Sequence, residues 1–444
     1  MKIILIQPKM IKRPMDTDLK TCMSPSLALL TLMRLTPCEH EVVMINENIE
    51  RINFNQKADL VGITITLDVF PRACKISEEF RKRGTLVVAG GIHVTSSPIA
   101  CMPYFDAICV GPGERTWARL IEDTANNKLQ KVYKDMTAFR GEEIASPKYE
   151  NIDRRKYLYT NVVSTSRGCP NRCDFCYNSC ENRVYVHRPI DDVLRDIMEL
   201  GTRHVLFIDD NFIGIPSYTR ELLSRMQGMG LKWSAAVTTK ILDYPDILDM
   251  MKDTGCQSLF IGFESINNTA LKIVHKDNQF EKYEKLIREI HSRGIMINAS
   301  MVFGLDGDGP EVFRNTLDWL VKNRIETLTS HILTPYPGTE LYRRMDEAGR
   351  IVDYDLSHYN TANVVFKPDG MTPEELYAGY LWMYKNFYTF HNIIRRYPEH
   401  KAQRKSYILF NLFYRKFGKA TSALARLIPL GILGRIAAWI SYRT

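Results

Sequence analysis

Short apolar runs alternate with amphipathic stretches through the first 130 residues. A second alternating series of strand–helix units follows, and an aromatic-rich, basic stretch closes the chain. These three observations predict an α/β protein: an N-terminal doubly wound, Rossmann-like parallel sheet, then a partial (β/α)6 TIM-like barrel, then a mostly helical C-terminal region. The boundaries set by this reading are 1–135, a linker over 136–160, 161–350 and 351–444.

The first region places strands at Lys2–Gln7, Glu41–Asn46, Leu60–Ile65, Leu86–Ala89 and Ala107–Val110. Amphipathic stretches such as Ser26–Leu35 and Val69–Lys82 supply the crossovers. In such sheets ligands sit beyond the carboxyl ends of the strands, where small residues let backbone approach. Two turns suit that use: Gly90-Gly91-Ile92-His93-Val94-Thr95 and Gly111-Pro112-Gly113-Glu114. The linker is polar and carries Pro147 and Asp153-Arg154-Arg155. Beyond it, strands are expected at Asn161–Thr165, His204–Ile208, Lys232–Ala236, Gln257–Gly262, Met296–Val302 and Thr327–Ile332. Six units fall short of the eight of a closed barrel, so a partial barrel is expected.

The 444 residues are 45% hydrophobic and 25% charged, ordinary for a globular protein with sizeable cores. The ten cysteines are mostly scattered singly through apolar segments, unlike a disulfide framework, so a reducing cytoplasm is expected. The N-terminus reads as a buried strand and is too short for a signal peptide. The net charge of +8 is local. Residues 401–444 hold nine of the 59 Lys/Arg and none of the 51 Asp/Glu, leaving the rest of the chain near neutral. A general nucleic-acid role is therefore not expected. The apolar stretch 427–440 has about fourteen residues, below the roughly 18–20 that span a bilayer. With the basic segment around Tyr407–Tyr414, it suits a peripheral site at the inner face of a membrane. A helix packed on the body with a solvated basic face fits the same residues.

The central motif is Arg167-Gly168-Cys169-Pro170-Asn171-Arg172-Cys173-Asp174-Phe175-Cys176-Tyr177, with C-x3-C-x2-C spacing directly after the first barrel strand. Thiolates suit iron–sulfur clusters or zinc. Zinc sites usually pair two C-x2-C units, and no second pair is present. Cys180 could close a four-cysteine site and has no assigned part. With Cys169, Cys173 and Cys176 as ligands, one iron of a cubane stays open.

This motif, with an aromatic before its last cysteine, resembles that of the radical S-adenosylmethionine (SAM) superfamily, in which a [4Fe–4S] cluster reductively cleaves SAM bound to its open iron. Further elements match in order. Ile208-Asp209-Asp210 resembles the acidic element at the SAM amino group. Glu264 in Gly262-Phe263-Glu264-Ser265 sits where the family places a polar residue near the ribose. Ser300, within Met296–Gly304, belongs to the element near the adenine, and Pro335-Tyr336-Pro337-Gly338 follows the sixth strand. The resemblance implies SAM contacts from Phe175, Tyr177, Asp209, Asp210, Glu264 and Ser300.

The first region resembles the cobalamin-binding domain of one radical SAM subgroup, through its G-G-x-H-x-T and G-x-G-E turns. That implies cobalamin contacts from Ser24, Thr64, Leu67, Gly90, Gly91, His93, Thr95, Gly111, Gly113 and Glu114, with His93 a turn or contact residue rather than an axial ligand. The D-x-H-x-x-G signature of methionine-synthase-type domains is absent. The layout is similar to the hopanoid and bacteriochlorophyll-type methylases. It implies a cobalamin-dependent methyltransferase acting on an unactivated carbon of a hydrophobic substrate, reduced by a donor such as flavodoxin or ferredoxin. A cyclase, rearrangement or carbon–carbon coupling enzyme without methyl transfer is the enzymatic alternative, and a non-catalytic iron–sulfur sensor the other.

Overall fold

The structure, a computed structural model, describes residues 1–14, 16, 24–135, 137, 139–180, 185–273, 278–415 and 431–436. Strands β1 (Lys2–Gln7), β2 (Glu41–Asn46), β3 (Leu60–Thr64), β4 (Leu86–Gly90), β5 (Ala107–Val110) and β6 (Val132–Lys134) form one parallel sheet in the order β2-β1-β3-β4-β5-β6. Ile3, Ile4, Leu5 and Ile6 are all buried, as expected for a strand covered on both faces. The sixth strand corrects the five read from the sequence. Only Tyr133 of its three residues is buried, so it carries no usable alternation.

The strand order reverses at β1 and β3, and helices cover both faces. Phe70–Arg81 packs on one side with Ile4, Ile6, Val61 and Val87. Leu27–Leu35 and Gly113–Ala125 cover the other, and their buried residues Leu29, Met33, Trp117 and Leu120 belong to a core continuous with that of the second sheet. The two sheets therefore share one apolar interior. The segment 136–160, read as a linker, is packed into it: Tyr149, Ile152 and Tyr157 are buried, and the Tyr149 hydroxyl donates to the Val162 carbonyl at 3.0 Å.

The second sheet contains β7 (Val162–Val163), β10 (His204–Phe207), β11 (Lys232–Val237), β12 (Cys256–Glu264), β13 (Met296–Phe303) and β14 (Thr327–Ile332), all parallel and ordered by sequence. Between β7 and β10 lies a two-residue antiparallel ladder of β8 (Ser166–Arg167) and β9 (Val186–His187). The barrel is open between β14 and β7, so β14 has a bare backbone edge. The C-terminal region closes it. Helix Pro373–Phe387 starts with a Thr372–Glu375 capping box and Pro at its first turn. The Tyr384 hydroxyl accepts from Ser330 N at 2.8 Å, and the Tyr388 hydroxyl accepts from Leu328 N at 3.2 Å. The fully buried Arg396 guanidinium donates to the carbonyls of Ile325, Glu326 and Phe387 and stacks on the Phe387 ring.

No helix among the described residues is long and apolar enough to cross a membrane. Of the basic tail, Arg404–Arg415 is one helix with Tyr407 and Asn411 buried. In 431–436, Gly431 and Gly434 lie against the backbone of Arg154 and Leu158, where a Cβ would clash. This part packs on the body, while the rest of the apolar stretch 427–440 lies outside the described residues.

The loop after β13 holds a buried acid. Gly304 N and Leu305 N both donate to Asp308 Oδ2 at 3.1 Å, while Oδ1 has no partner among the described residues. Burial pushes the Asp308 carboxyl up to about 7; the two backbone donors oppose this, and nearby Glu311 and Asp306 add to it. The folded-state value lies above the unfolded one. The native state thus loses stability as pH rises from about 4 through about 7, by up to ~4 kcal/mol. Asp308→Asn is expected to flatten the fall in melting temperature between pH 5 and 8. An unchanged slope would locate that pH dependence elsewhere.

Candidate active site

The cysteine loop is anchored at its start, middle and end. At its start, the backbone N–H and hydroxyl groups of Thr165 and Ser166 donate to the buried Asp209 carboxylate, all four to Oδ1 at 2.6–3.0 Å. Burial raises the Asp209 pKa and these donors lower it. In its middle, Arg344 pairs with Asp174 at 3.0 Å, and Leu341 N donates to the Asp174 carbonyl. Tyr177 stacks on Tyr336, ring centroids 4.5 Å apart. At its far end, β9 pairs with β8, while Arg188 donates to the Ser164 carbonyl and to Asp196.

Cys173 is buried and Cys169 and Cys176 are half-buried. Burial pushes the Cys176 thiol up to about 12, and nearby Cys173, Asp210 and Cys169 push it the same way. Three thiolates could not stay charged together here without cations to replace their protons, and a cluster's irons supply that compensation. Among the described residues no three His, Cys, Asp or Glu side chains converge on one metal ion. A cubane does not ask them to, since each thiolate binds its own iron. The donor set therefore fits a cluster. Cys180 is buried beside Tyr177 and against Gly338.

The polar groups implied for SAM lie at successive strand ends. Asp210 opens onto a cavity, and surrounding protein raises its pKa while a bond from Asn178 lowers it. Glu264 has φ +67 and follows a register shift in the β12–β13 ladder. A bulge of this kind re-aims a side chain and stores strain, a pattern found at functional sites. It brings Glu264 Oε2 to 3.5 Å from Ser300 Oγ. Phe175 is half-buried against the barrel core. Sequence reading missed Thr238, whose buried hydroxyl at the end of β11 has no partner among the described residues. Its only signal was its place after an alternating strand.

The cavity measures about 510 Å3 and lies between the two sheets. Thr64, Gly90, Gly91, Thr95, Gly111, Gly113 and Glu114 line its N-terminal wall. Ser164, Ser166, Arg167, Gly168, Tyr177, Asn178, Asp209 and Asp210 line the barrel wall. Gly91 has φ +107, and a Cβ there would meet Ile65 backbone atoms at 2.8 Å, so only glycine fits the turn. Thr95 knits the two turns together: its hydroxyl donates to Gly91 O at 3.0 Å and accepts from Gly111 N at 3.1 Å. Glu114 forms a bidentate pair with Arg167 across the two walls.

Three residues implied for cobalamin do not line this cavity. His93 turns to the opposite face of the sheet. It is buried edge-on against Phe70, with no partner on either ring nitrogen among the described residues, and burial holds its pKa at about 4. Leu67 is buried in the core, and Ser24 is half-buried outside the cavity lining. Among the described residues no histidine lines the cavity. Its glycine-walled shape fits a broad flat cofactor such as a corrin, which the backbone at Gly90, Gly91 and Gly111 would hold.

Comparison with known proteins gives a consistent pattern. Residues 163–320 match the Radical SAM superfamily, and residues 339–432 match a domain of unknown function, DUF4070. The chain is 30% identical over 373 residues to the hopanoid C-2 methylase of Rhodopseudomonas palustris, covering 78% of this chain and 69% of that protein. It is 29% identical over 350 residues to the bacteriochlorophyllide d C-12(1)-methyltransferase of Chlorobaculum tepidum, covering 76% of each. In structure it is similar to the radical S-adenosylmethionine methyltransferase TsrM of Kitasatospora setae, solved with cobalamin and a [4Fe–4S] cluster. There the TM-score is 0.68 at 18% identity, over 98% of this chain and 99% of that one.

The two adjacent aspartates should separate on substitution. Asp209→Ala removes the acceptor for four donors and is expected to cut iron loading on anaerobic reconstitution by more than half, since each orphaned buried donor costs about 1–3 kcal/mol. Asp210→Ala is expected to keep its iron but weaken SAM binding about tenfold, measured by equilibrium dialysis. Equal iron loss in both variants would contradict this division.

Proposed function

The chain belongs to the radical SAM superfamily, and on that premise we propose that it is a cobalamin-dependent methyltransferase acting on an unactivated carbon of a hydrophobic small molecule. One observation carries the reading. The loop bearing the three thiols and the glycine turns of the first sheet are opposite walls of one cavity, so two cofactors held by them would work face to face. The hydrophobic substrate rests on the likeness to methylases of a bacteriochlorophyllide and a hopanoid.

Cys169, Cys173 and Cys176 would hold a [4Fe–4S] cluster, which would supply the electron for SAM cleavage, and the glycine turns would hold a cobalamin, which would supply a methyl-carrying metal. The chain's own residues do the positioning. Asp210 offers a carboxylate to a cationic amino group, while Glu264, Ser300 and Thr238 offer oxygens to a ribose or adenine. The stacked Tyr177 and Tyr336 close the side of the cysteine loop and exclude water from it. Gly90, Gly91 and Gly111 let a corrin lie on backbone. A small electron-transfer protein such as flavodoxin or ferredoxin provides the reductant.

The substrate is reached from an anionic membrane surface. Ile394 is 73% exposed, and Phe390, Tyr397 and Ile408 are also exposed. The Arg404 guanidinium lies 5.4 Å from the centre of the Tyr397 ring, and Arg395, Lys401 and Lys405 flank the patch. Exposed apolar side chains with bases near them in the chain suit insertion among acidic headgroups, and the exposed carboxylate of the segment, Glu399, is paired with Arg324.

Protein prepared without oxygen should carry about four irons and a corrin absorbance. With methyl-labelled SAM, reductant and a cell lipid extract, label should enter an extractable product. Deoxyadenosine formed with no label transferred would overturn the methyltransferase reading. Separately, the protein should sediment with phosphatidylglycerol vesicles but not phosphatidylcholine vesicles, and Ile394→Asp with Ile408→Asp should weaken this about tenfold. Binding indifferent to lipid charge or to these changes would exclude the patch.

A further inference from the structure

The glutamate of the G-x-G-E turn, one of the contacts implied for cobalamin, and the arginine before the cysteine loop bind each other. Arg167 Nη1 donates to Glu114 Oε2 at 2.9 Å and Nη2 donates to Oε1 at 2.6 Å. The two planar groups meet as a fork, the strong geometry for this pair. The Glu114 side chain is only 6% exposed, whereas that of Arg167 is 37% exposed. Phe139 lies under the Arg167 guanidinium at 5.2 Å and under that of Arg115 at 5.6 Å; Arg115 is itself held by Glu143. The pair thus has a fixed footing on the first sheet's side.

Its other end is the cysteine loop. Arg167 is two residues ahead of Cys169 and belongs to β8, which Asp209 holds through Ser166 and which β9 pairs from the loop's far side. Both Glu114 and Arg167 line the cavity. A molecule filling the cavity would remove the remaining water from Arg167, and a charge pair strengthens as its surroundings lose water.

We infer that Glu114 and Arg167 are positioning residues that couple the cofactor cavity to the start of the cysteine loop, so that filling the cavity further slows the opening of that loop. This rests on the reading that the cavity takes cobalamin.

The test uses the full chain, reconstituted anaerobically with iron and sulfide, with hydroxocobalamin as the probe. Corrin retained on gel filtration reports binding, and hydrogen exchange over 166–180 reports order in the loop. In the unaltered chain corrin should be retained and exchange slow about tenfold, the size of a charge-assisted bond acting on a local opening. Glu114→Gln should retain corrin and lose most of that slowing, and Arg167→Lys, which keeps the charge but not the fork, should fall between. Equal slowing in all three chains would overturn the inference while leaving the cavity reading intact. Loss of corrin by Glu114→Gln, with a full response in Arg167→Lys, would also overturn it by making Glu114 a direct contact. Failure of the unaltered chain to retain corrin would overturn the cavity reading and this inference with it.

Discussion

The buried carboxylate of Asp209 fixes where the cysteine loop leaves the barrel, and the rest of the site is built outward from that point. A carboxylate so deeply buried is costly unless donors surround it. Here four N–H and O–H groups from two consecutive residues converge on one oxygen, which locks both the backbone and the rotamers of Thr165 and Ser166. Beyond Ser166 the chain has little freedom: β8 is clasped by β9, Asp174 is tied to the helix after β14, and Tyr177 is stacked on Tyr336. A loop that gathers three thiols needs such external fastening, because burial and the nearby Cys173, Asp210 and Cys169 oppose ionisation of Cys176 before any cation arrives.

The opposite wall is rigid for a different reason. The glycine turns lie at the ends of strands whose flanking helices share one apolar core with the barrel. The two sheets therefore do not need a large polar interface to hold their spacing. Thr95 joins the turns to each other, and the Glu114–Arg167 pair joins them to the loop. Packing sets the distance between the walls, and a few directional bonds set their alignment.

Much of this was legible in the sequence. The cysteine spacing, the glycine turns and five of the six first-sheet strands could be read because each depends on residues close together in the chain. What could not be read was side-chain direction. His93 lies in the short helix Ile92–Ser96 between the cavity residues Ile92 and Thr95 yet packs on Phe70, and Leu67, in the turn Leu67–Val69, is buried in the core. Asp209 and Asp210 look equivalent in sequence, yet one carboxylate holds the loop while the other opens on the cavity. Arg167 gave no sign of its partner, which lies 53 residues away in the chain, and Thr238, whose hydroxyl has no partner among the described residues, was marked only by its place after an alternating strand.

The C-terminal region looks separable by composition, but the open barrel makes it structural. A partial barrel leaves one strand with unpaired N–H and C=O groups, and an unpaired edge costs stability and invites association. Here β14 has no neighbouring strand on that side among the described residues, and the hydroxyls of Tyr384 and Tyr388 bond its backbone as a seventh strand would. Arg396 then takes the carbonyls of Ile325 and Glu326, just ahead of the strand, and links them to Asn411. The aromatic content of that region is therefore an edge cap, and the exposed apolar and basic residues on its outer side are carried at a fixed position relative to the barrel. Any surface they engage is held in register with the site, because the same helices that present them also finish the sheet that carries it.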